Sequence, residues 1–392
     1  MNSGKTVLSQ LMMFRSDFQF QRCVDRYKGD FRVRRFTCNE HFLVMSFAQL
    51  TARESLRDIE NSLTAFSSKL YHSGLMRSAT AKSTLAEANE KRNWKIYADY
   101  AQVLIKQARP LYADDPNFRL DIDNMVYALD STTIDLCLSL FPWAKFRKTK
   151  GAVKMHTLLD LRGSIPIYVD ITNANVHDVN ILDTIPIEAG SYYIMDKGYT
   201  DFNRLYNKIH KEQAFFVTRS KDNINFITVE KQKVDSITGV LDDVTIRLSG
   251  YYSAKKYPTE LRLVTYEDFT DGKVYHFLTN NFSLDSLTIA ELYRERWKIE
   301  LFFKWIKQHL RIKTFYGTSE NAVNCQIWIA ICTYLLAAIA KKKLNITVSL
   351  YTFTQTLGLA LFEKTNIKEL FSGNNNNLNK QSDYPFLPLW EN

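Results

Sequence analysis

The hydrophobic period of this chain changes near residue 121, and that change restricts its architecture more than any other feature. Up to about residue 120, apolar residues recur at helical spacing. "TCNEHFLVMSFAQL" and "TARESLRDIENSLTAF" read as two helices with a break near Leu50 and Thr51, and "STLAEANEKRNWKIYADYAQVLIKQA" as a longer one. With Arg32, Arg34, Arg35, Arg53 and Arg57 beside them, the first two are compatible with a helix-turn-helix. Beyond residue 121 the apolar runs shorten. "NMVYALD" reads as a strand ending at Asp130, and "AVKMHTLLDL" with "SIPIYVDIT" as a hairpin around Asp160 to Gly163. "HDVNILDTI" is a short helix and "SYYIMD" a strand ending at Asp196; a helix from about Asp201 to His210 and the strand "AFFVTRS" follow. The order strand, hairpin, helix, strand, helix, strand predicts an α/β fold, a mixed sheet with helices on its faces. Residues 219–284 are then nearly all β in pattern, through "FITVEKQKV", "DDVTIRLSGYY", "TELRLVTY" and "KVYHFLTNN".

The next segment, "YRERWKIELFFKWIK" from Tyr293 to Lys307, has a distinctive cross-section. At about 100° per residue, Tyr293, Arg296, Glu300, Lys304 and Lys307 fall in one narrow stripe. Leu292, Ile299, Phe303, Ile306 and Leu310 take an adjacent face, while Leu301, Phe302 and Trp305 cover much of the rest. The expectation is a mostly buried helix with a thin polar stripe, opened by a capping box at Thr288 and Glu291. Glu300 then has two readings. It pairs with Arg296 and Lys304, four residues away on either side, as on an ordinary helix surface. Or, as a carboxylate among aromatics, it needs a cation and shares one with other acids.

Composition narrows the partners. The 392 residues, 45% hydrophobic and 24% charged, suit a globular protein of two or three domains. A net charge of +9 favours a polyanion such as nucleic acid. Cys23, Cys38, Cys137, Cys325 and Cys332 form no CxxC or Cys/His cluster, which argues against a zinc site or disulfide framework and fits a reducing cytosol. Leu8 to Phe14 is too short and interrupted for a signal peptide. The apolar run Ile327 to Ala340 contains Thr333 and is shorter than a bilayer span, so a buried helix and no membrane association are expected. Without a P-loop or GxGxxG, no nucleotide cofactor is expected.

Asp130 and Asp196 each follow an apolar run where a strand is expected to end, and open α/β sheets bind ligands at such ends. Each acid alone is equally a turn former. With Glu300, however, they supply three carboxylates to one site. Three ionised carboxylates need cations between them, and hard oxygen donors select Mg²⁺ or Mn²⁺. Two such ions, roughly 3.5 to 4 Å apart, clamp the attacking and leaving oxygens of an in-line phosphoryl transfer. Beside that site Arg296, Lys304 and Lys307 would meet phosphate oxygens.

"YALDSTT", "YIMDKGY" and the spacing Tyr293–x2–Arg296–x3–Glu300–x6–Lys307 resemble the DDE transposases of the insertion-sequence-four group, marked by a YREK signature. The stretches "SLRDIE" and "STLAEANEKR" also look like a small domain that precedes the catalytic core in many members. The resemblance implies an RNase H-like mixed sheet flanked by helices, interrupted by a β-rich insertion, after an N-terminal helical domain. The expected division is a DNA-binding helical domain over 1–120, a first core part over 121–218 and the insertion over 219–284. The second core part would cover 285–345, and a C-terminal helical segment with a flexible tail near "SGNNNNLNKQ" 346–392.

By the same resemblance Asp130, Asp196 and Glu300 would be the catalytic ligands of two Mg²⁺ ions, with Mn²⁺ able to substitute. Tyr293, Arg296 and Lys307 would contact DNA, and Trp297 would stack on a base. The implied activity is cut-and-paste transposition in the bacterial cytoplasm, at the nucleoid. A homodimer would bind the terminal inverted repeats of its element, hydrolyse the phosphodiester at each end and join the freed 3′-OH to target DNA. A metal-dependent nuclease that cuts without joining, and a transposase-derived DNA-binding protein with a dead site, are the alternatives; the intact triad argues against the latter.

One departure concerns hairpin formation. Better known members carry a Trp in the insertion to help flip a base. This chain has no Trp between Trp143 and Trp297, so Tyr251, Tyr252 or Tyr275 would have to serve. The run "KFRKTKGAVK", with Lys145, Arg147, Lys148, Lys150 and Lys154, either tracks a DNA backbone or is a solvated loop. His156 and His177 read as structural histidines, and Asp160 and Asp178 as acids easily mistaken for a ligand.

Overall fold

A computed structural model of the chain describes residues 4–75, 80–114, 118, 120–148, 150–309 and 315–372. The chain forms two compact units. Among the described residues, one is built from 4–113, 134–152 and 303–372, the other from 114–133 and 153–302.

Among the described residues the chain opens with seven helices: α1 (Val7–Met12), α2 (Asp17–Arg26), α3 (Cys38–Leu50), α4 (Leu56–Ala65), α5 (Ser67–Leu70), α6 (Lys82–Lys91) and α7 (Lys95–Ala108). Ten described strands follow: β1 (Val126–Leu136), β2 (Lys145–Arg147), β3 (Lys150–Asp160), β4 (Ile165–Asn173), β5 (Tyr192–Met195), β6 (Phe215–Arg219), β7 (Phe226–Lys231), β8 (Val240–Leu248), β9 (Leu261–Asp268) and β10 (Lys273–Thr279). Among them lie α8 (Phe202–Arg204) and α9 (Tyr251–Lys256). After β10 come α10 (Ser286–Glu295), α11 (Trp297–His309), α12 (Glu320–Lys343), α13 (Leu350–Ala360) and α14 (Glu369–Ser372).

The first unit is a helical bundle around α12. This helix is apolar on every side, and each residue from Ala322 to Ala340 is buried against neighbours that include α3, α6, α7 and α13. It exceeds the expected run 327–340 and is long and apolar enough to cross a bilayer, yet that stretch lies wholly inside the protein. Ser319 caps its start, and Lys341, Lys342 and Lys343 meet the negative end of its dipole. Helix α3 starts with a capping box, Thr37 Oγ1 accepting from Glu40 N and the Glu40 carboxylate from Thr37 N. Of the helix pair α3–α4, compatible from its sequence with a helix-turn-helix, α3 buries 11 of its 13 residues, and α4 alone keeps a wet face, carrying Arg57.

In the second unit the sheet runs β3-β1-β5-β6-β10-β9-β8-β7, with β4 antiparallel to β3; β2 pairs with the first residues of β3. Strands β1, β5 and β6 are parallel, and β6 and β10 antiparallel. Strands β4, β3 and β1 side by side, with β5 and then β6 parallel to β1 on its other edge, give the RNase H-like order. The β3–β4 hairpin turns where expected, through Gly163 and Ser164 at φ of 82° and 55°, a region glycine enters without strain. Residues 219–284 do not make a separate sheet. Strand β10 hydrogen-bonds to β6, so the β-rich insertion prolongs the core sheet.

A buried ion pair ties this extension to the next helix. Arg262 on β9 grips Asp243 on β8 at 2.9 and 2.6 Å and donates to Leu284 O at 2.5 Å, while Ser286 Oγ donates to Asp243 at 2.7 Å. Helix α10 therefore starts from the insertion and packs over β5, β6, β8, β9 and β10. Its cap is Asp285, which accepts from Thr288 N at 3.0 Å, in place of the expected Thr288–Glu291 box. The single helix expected through 307 is two, α10 and α11, meeting at Arg296.

Candidate active site

Alternation along β1 and β5 sorts their side chains between the two faces of the sheet. Tyr127, Leu129, Tyr193 and Met195 enter a core shared with Leu158, Ile181 and Phe216. Asp130 and Asp196 lie one residue past the last registered pair, Leu129 opposite Met195, and so stand side by side on the parallel strands. Asp196 follows the end of β5, as expected. Asp130 does not end its strand: β1 continues to Leu136, and Asp130 sits where its neighbour stops.

Helix α10 and its junction with α11 bring three further groups. Tyr293 is 1% exposed, its ring tilted against that of Phe277 with centroids 4.9 Å apart, and its hydroxyl donates to Asp196 Oδ1 at 3.3 Å. Arg296 Nη1 lies 2.7 Å from Asp130 Oδ2 and 3.1 Å from Glu300 Oε1. The second oxygen of Asp130 accepts from Ser131 N at 2.7 Å. Burial pushes the Asp130 carboxyl up to about 7 against the pull of Arg296, with Glu300 adding to the rise. For Arg296, burial opposes the charge, but Tyr293, Asp130, Glu300 and Asp196 outweigh it and hold the guanidinium protonated. Both readings of Glu300 thus meet in one contact: it pairs with Arg296 four residues away, and Arg296 links it to Asp130.

The family described as "Transposase DDE domain" matches residues 122–336, more than half of the chain, from before β1 into α12. The chain belongs to the DDE transposase family. It is 37% identical over 287 residues to a putative transposase, y4zB, of Sinorhizobium fredii, covering 72% of this chain and 78% of that protein. It is also similar to a probable transposase for insertion sequence element IS5377 of Geobacillus stearothermophilus, at 29% identity over 58% of this chain and 60% of the other. A third relative, a putative transposase for insertion sequence element IS4SA of Synechocystis, is 23% identical over 71% of this chain and 77% of its own. Residues 3–76 match a domain of unknown function, DUF4372.

DDE transposases act with divalent metal ions, and this transposase offers donors of the right chemistry: three carboxylates, without sulfur or imidazole. Among the described residues no three acidic, His or Cys side chains are grouped closely enough to hold an ion as they stand. Arg296 lies between two of the candidates.

The other expected residues are distributed unevenly. Lys304 and Lys307 are exposed on α11, and Trp297 is half-buried at its start. Lys145, Arg147, Lys148 and Lys150 are exposed along β2 and the start of β3. Lys154 differs from that run: it is set in β3 with 12% of its side chain exposed, bound to Val176 O and Asp178, each at 3.0 Å. Tyr293 is likewise no surface group, since its ring is packed and its hydroxyl is spent on Asp196. Tyr251 and Tyr252 are 68% and 76% exposed, whereas Tyr275 is buried and donates to Asp271.

Asp178, set aside from sequence as a decoy, joins a network behind Asp130. It accepts from Ser131 Oγ at 2.6 Å and faces Lys154 at 3.0 Å and His156 Nδ1 at 3.7 Å. Burial opposes its charge, but Ser131 and Lys154 outweigh it and hold the carboxyl below its usual range. The sequence signal is Lys154 and His156 at alternate positions of a strand whose residues are mostly buried.

Proposed function

We propose that this transposase binds the terminal inverted repeats of an insertion sequence, cleaves the DNA ends and joins the 3′-OH to target DNA, with Asp130, Asp196 and Glu300 as its catalytic carboxylates. The observation that carries the reading is the register of β1 and β5, which sets two aspartates side by side under the helix junction bearing Arg296 and Glu300. Bound Mg²⁺ or Mn²⁺, two ions per site, would neutralise the charge developing on the phosphate and lower the pKa of an attacking water. The three carboxylates would hold the ions. Tyr293 fixes the orientation of Asp196, and Ser131 N that of Asp130. Arg296, Lys304 and Lys307 grip phosphate oxygens, and Trp297 stacks on a base. Water oxygen bonds to phosphorus as the P–O3′ bond breaks, freeing a 3′-OH, which attacks a target phosphodiester in the same way. Two copies, one at each end, would work in the synaptic complex, in the bacterial cytoplasm.

The test uses Asp130→Ala, Asp196→Ala and Glu300→Ala. Each should abolish nicking while end binding in a gel shift stays near wild type, because carboxylates hold metal and Lys and Arg supply DNA affinity. Wild-type nicking by Asp196→Ala would remove that residue from the triad. Strand transfer by the wild type on the same substrate separates a transposase from a nuclease.

A further inference from the structure

We propose that Arg296 is the resident cation of this site, and that it and divalent metal exclude one another at Asp130 and Glu300. The inference rests on the reading of these carboxylates as metal ligands. A single nitrogen, Nη1, reaches one oxygen of each acid, 2.7 Å to Asp130 and 3.1 Å to Glu300, which is the electrostatic task of a bridging ion. Both oxygens of Asp130 are occupied, one by Ser131 N and the other by Arg296. The Ser131 donor is backbone in the middle of β1, so the side chain of Arg296 is the partner that can leave.

Its position suits departure. Arg296 is the C-cap of α10, at the junction with α11, and its guanidinium can leave by side-chain rotation alone, with the backbone bonds Arg296 N to Tyr293 O and Ile299 N to Arg296 O kept. Removal of the guanidinium leaves Asp130 and Glu300 without their shared counter-charge, which favours another cation at the same place. Once displaced, the planar fork is free to take two oxygens of a phosphate, which ties metal loading to DNA engagement. In the DNA-free protein, Arg296 therefore weakens metal binding.

Mn²⁺ binding to the full-length protein without DNA, followed by the electron paramagnetic resonance of free Mn²⁺, tests this. Arg296→Gln should bind Mn²⁺ roughly tenfold more tightly than wild type, within the range of ordinary coupling between sites. In EDTA the same variant should melt below wild type, and Mn²⁺ should restore it. Arg296→Lys, which keeps a cation but loses the planar fork, should show a smaller gain and covers the case in which the Gln variant does not fold. Equal or weaker Mn²⁺ binding by the folded variants, with binding lost in Asp196→Asn, overturns the exchange but leaves the metal reading standing. Wild-type Mn²⁺ binding by Asp196→Asn brings down the metal reading and this inference with it.

Discussion

At position 293 the stripe arithmetic and the packed molecule part company. Counting 100° per residue sets Tyr293 beside Arg296 and Glu300, and Tyr293 does reach Asp196 and Arg296 reach Asp130, with Glu300 joined through Arg296. Angular position says nothing of depth, however, and a phenol can bury its ring while keeping one polar atom for a buried acid. Tyr293→Phe should therefore change stability by about 1 kcal/mol or less and slow nicking by roughly tenfold, through a loosened Asp196. Melting temperature and nicking rate on one preparation check this; unaltered nicking would make the hydroxyl merely structural. The Lys154–Asp178–Ser131 network was not legible, because its members lie on three separate segments and meet only after the strands pair. Asp130 and Asp196 were legible, because each directly follows a run whose pattern already reads as a strand.

His41 gives a second expectation at this scale. It is buried between the Tyr97 hydroxyl and the Asn89 side chain, at 2.7 Å each, and burial lowers its pKa to about 4. Unfolded, it takes a proton near pH 6.5. The unfolded chain thus binds more protons as pH falls from 6.5 towards 4, and stability drops across that window, by on the order of 3 kcal/mol. Urea titrations of wild type and His41→Gln should show the advantage of wild type shrinking over the same interval. A constant gap would mean that His41 is already protonated in the fold.

For elements, periodicity located the pieces and missed how they join. It gave one helix from 288 onward, whereas Asp285 caps α10 and Arg296 breaks it from α11. The break was hidden because the apolar pattern runs straight through it. The β2–β3 segment shows the converse: its exposed Lys145, Arg147, Lys148 and Lys150 form the strip expected from charge alone, and Lys154 leaves it because, further along β3, its ammonium is held by Asp178 and Val176 O. Replacing Lys148 and Lys150 together with Ala should weaken binding to every DNA sequence and flatten the plot of log affinity against log salt by about two contacts. An unchanged slope would assign the strip to solvent.

At the scale of the whole molecule, the β-rich insertion was legible as strands but not as part of the core sheet, since nothing local in residues 219–284 names β6 as a partner. Arg262 makes the connection energetic. Its removal leaves Asp243 buried at 2% exposure without its counter-charge, and loosens Leu284 and Ser286 at the start of α10. Arg262→Ala should cost about 3–5 kcal/mol and reduce nicking in the fraction that remains folded. Urea denaturation and nicking check both; a loss of stability with full activity per folded molecule would separate the insertion from the site.

The pairing of β6 with β10 also fixes when in its synthesis the chain can complete its sheet. Arg219 leaves the ribosome 58 residues ahead of Phe277 (277 − 219), its partner on β10. At about 5–20 residues per second, that edge stays open for roughly 3–12 s. Translation that halts within this interval leaves the unpaired β6 edge free to recruit strands from neighbouring nascent chains.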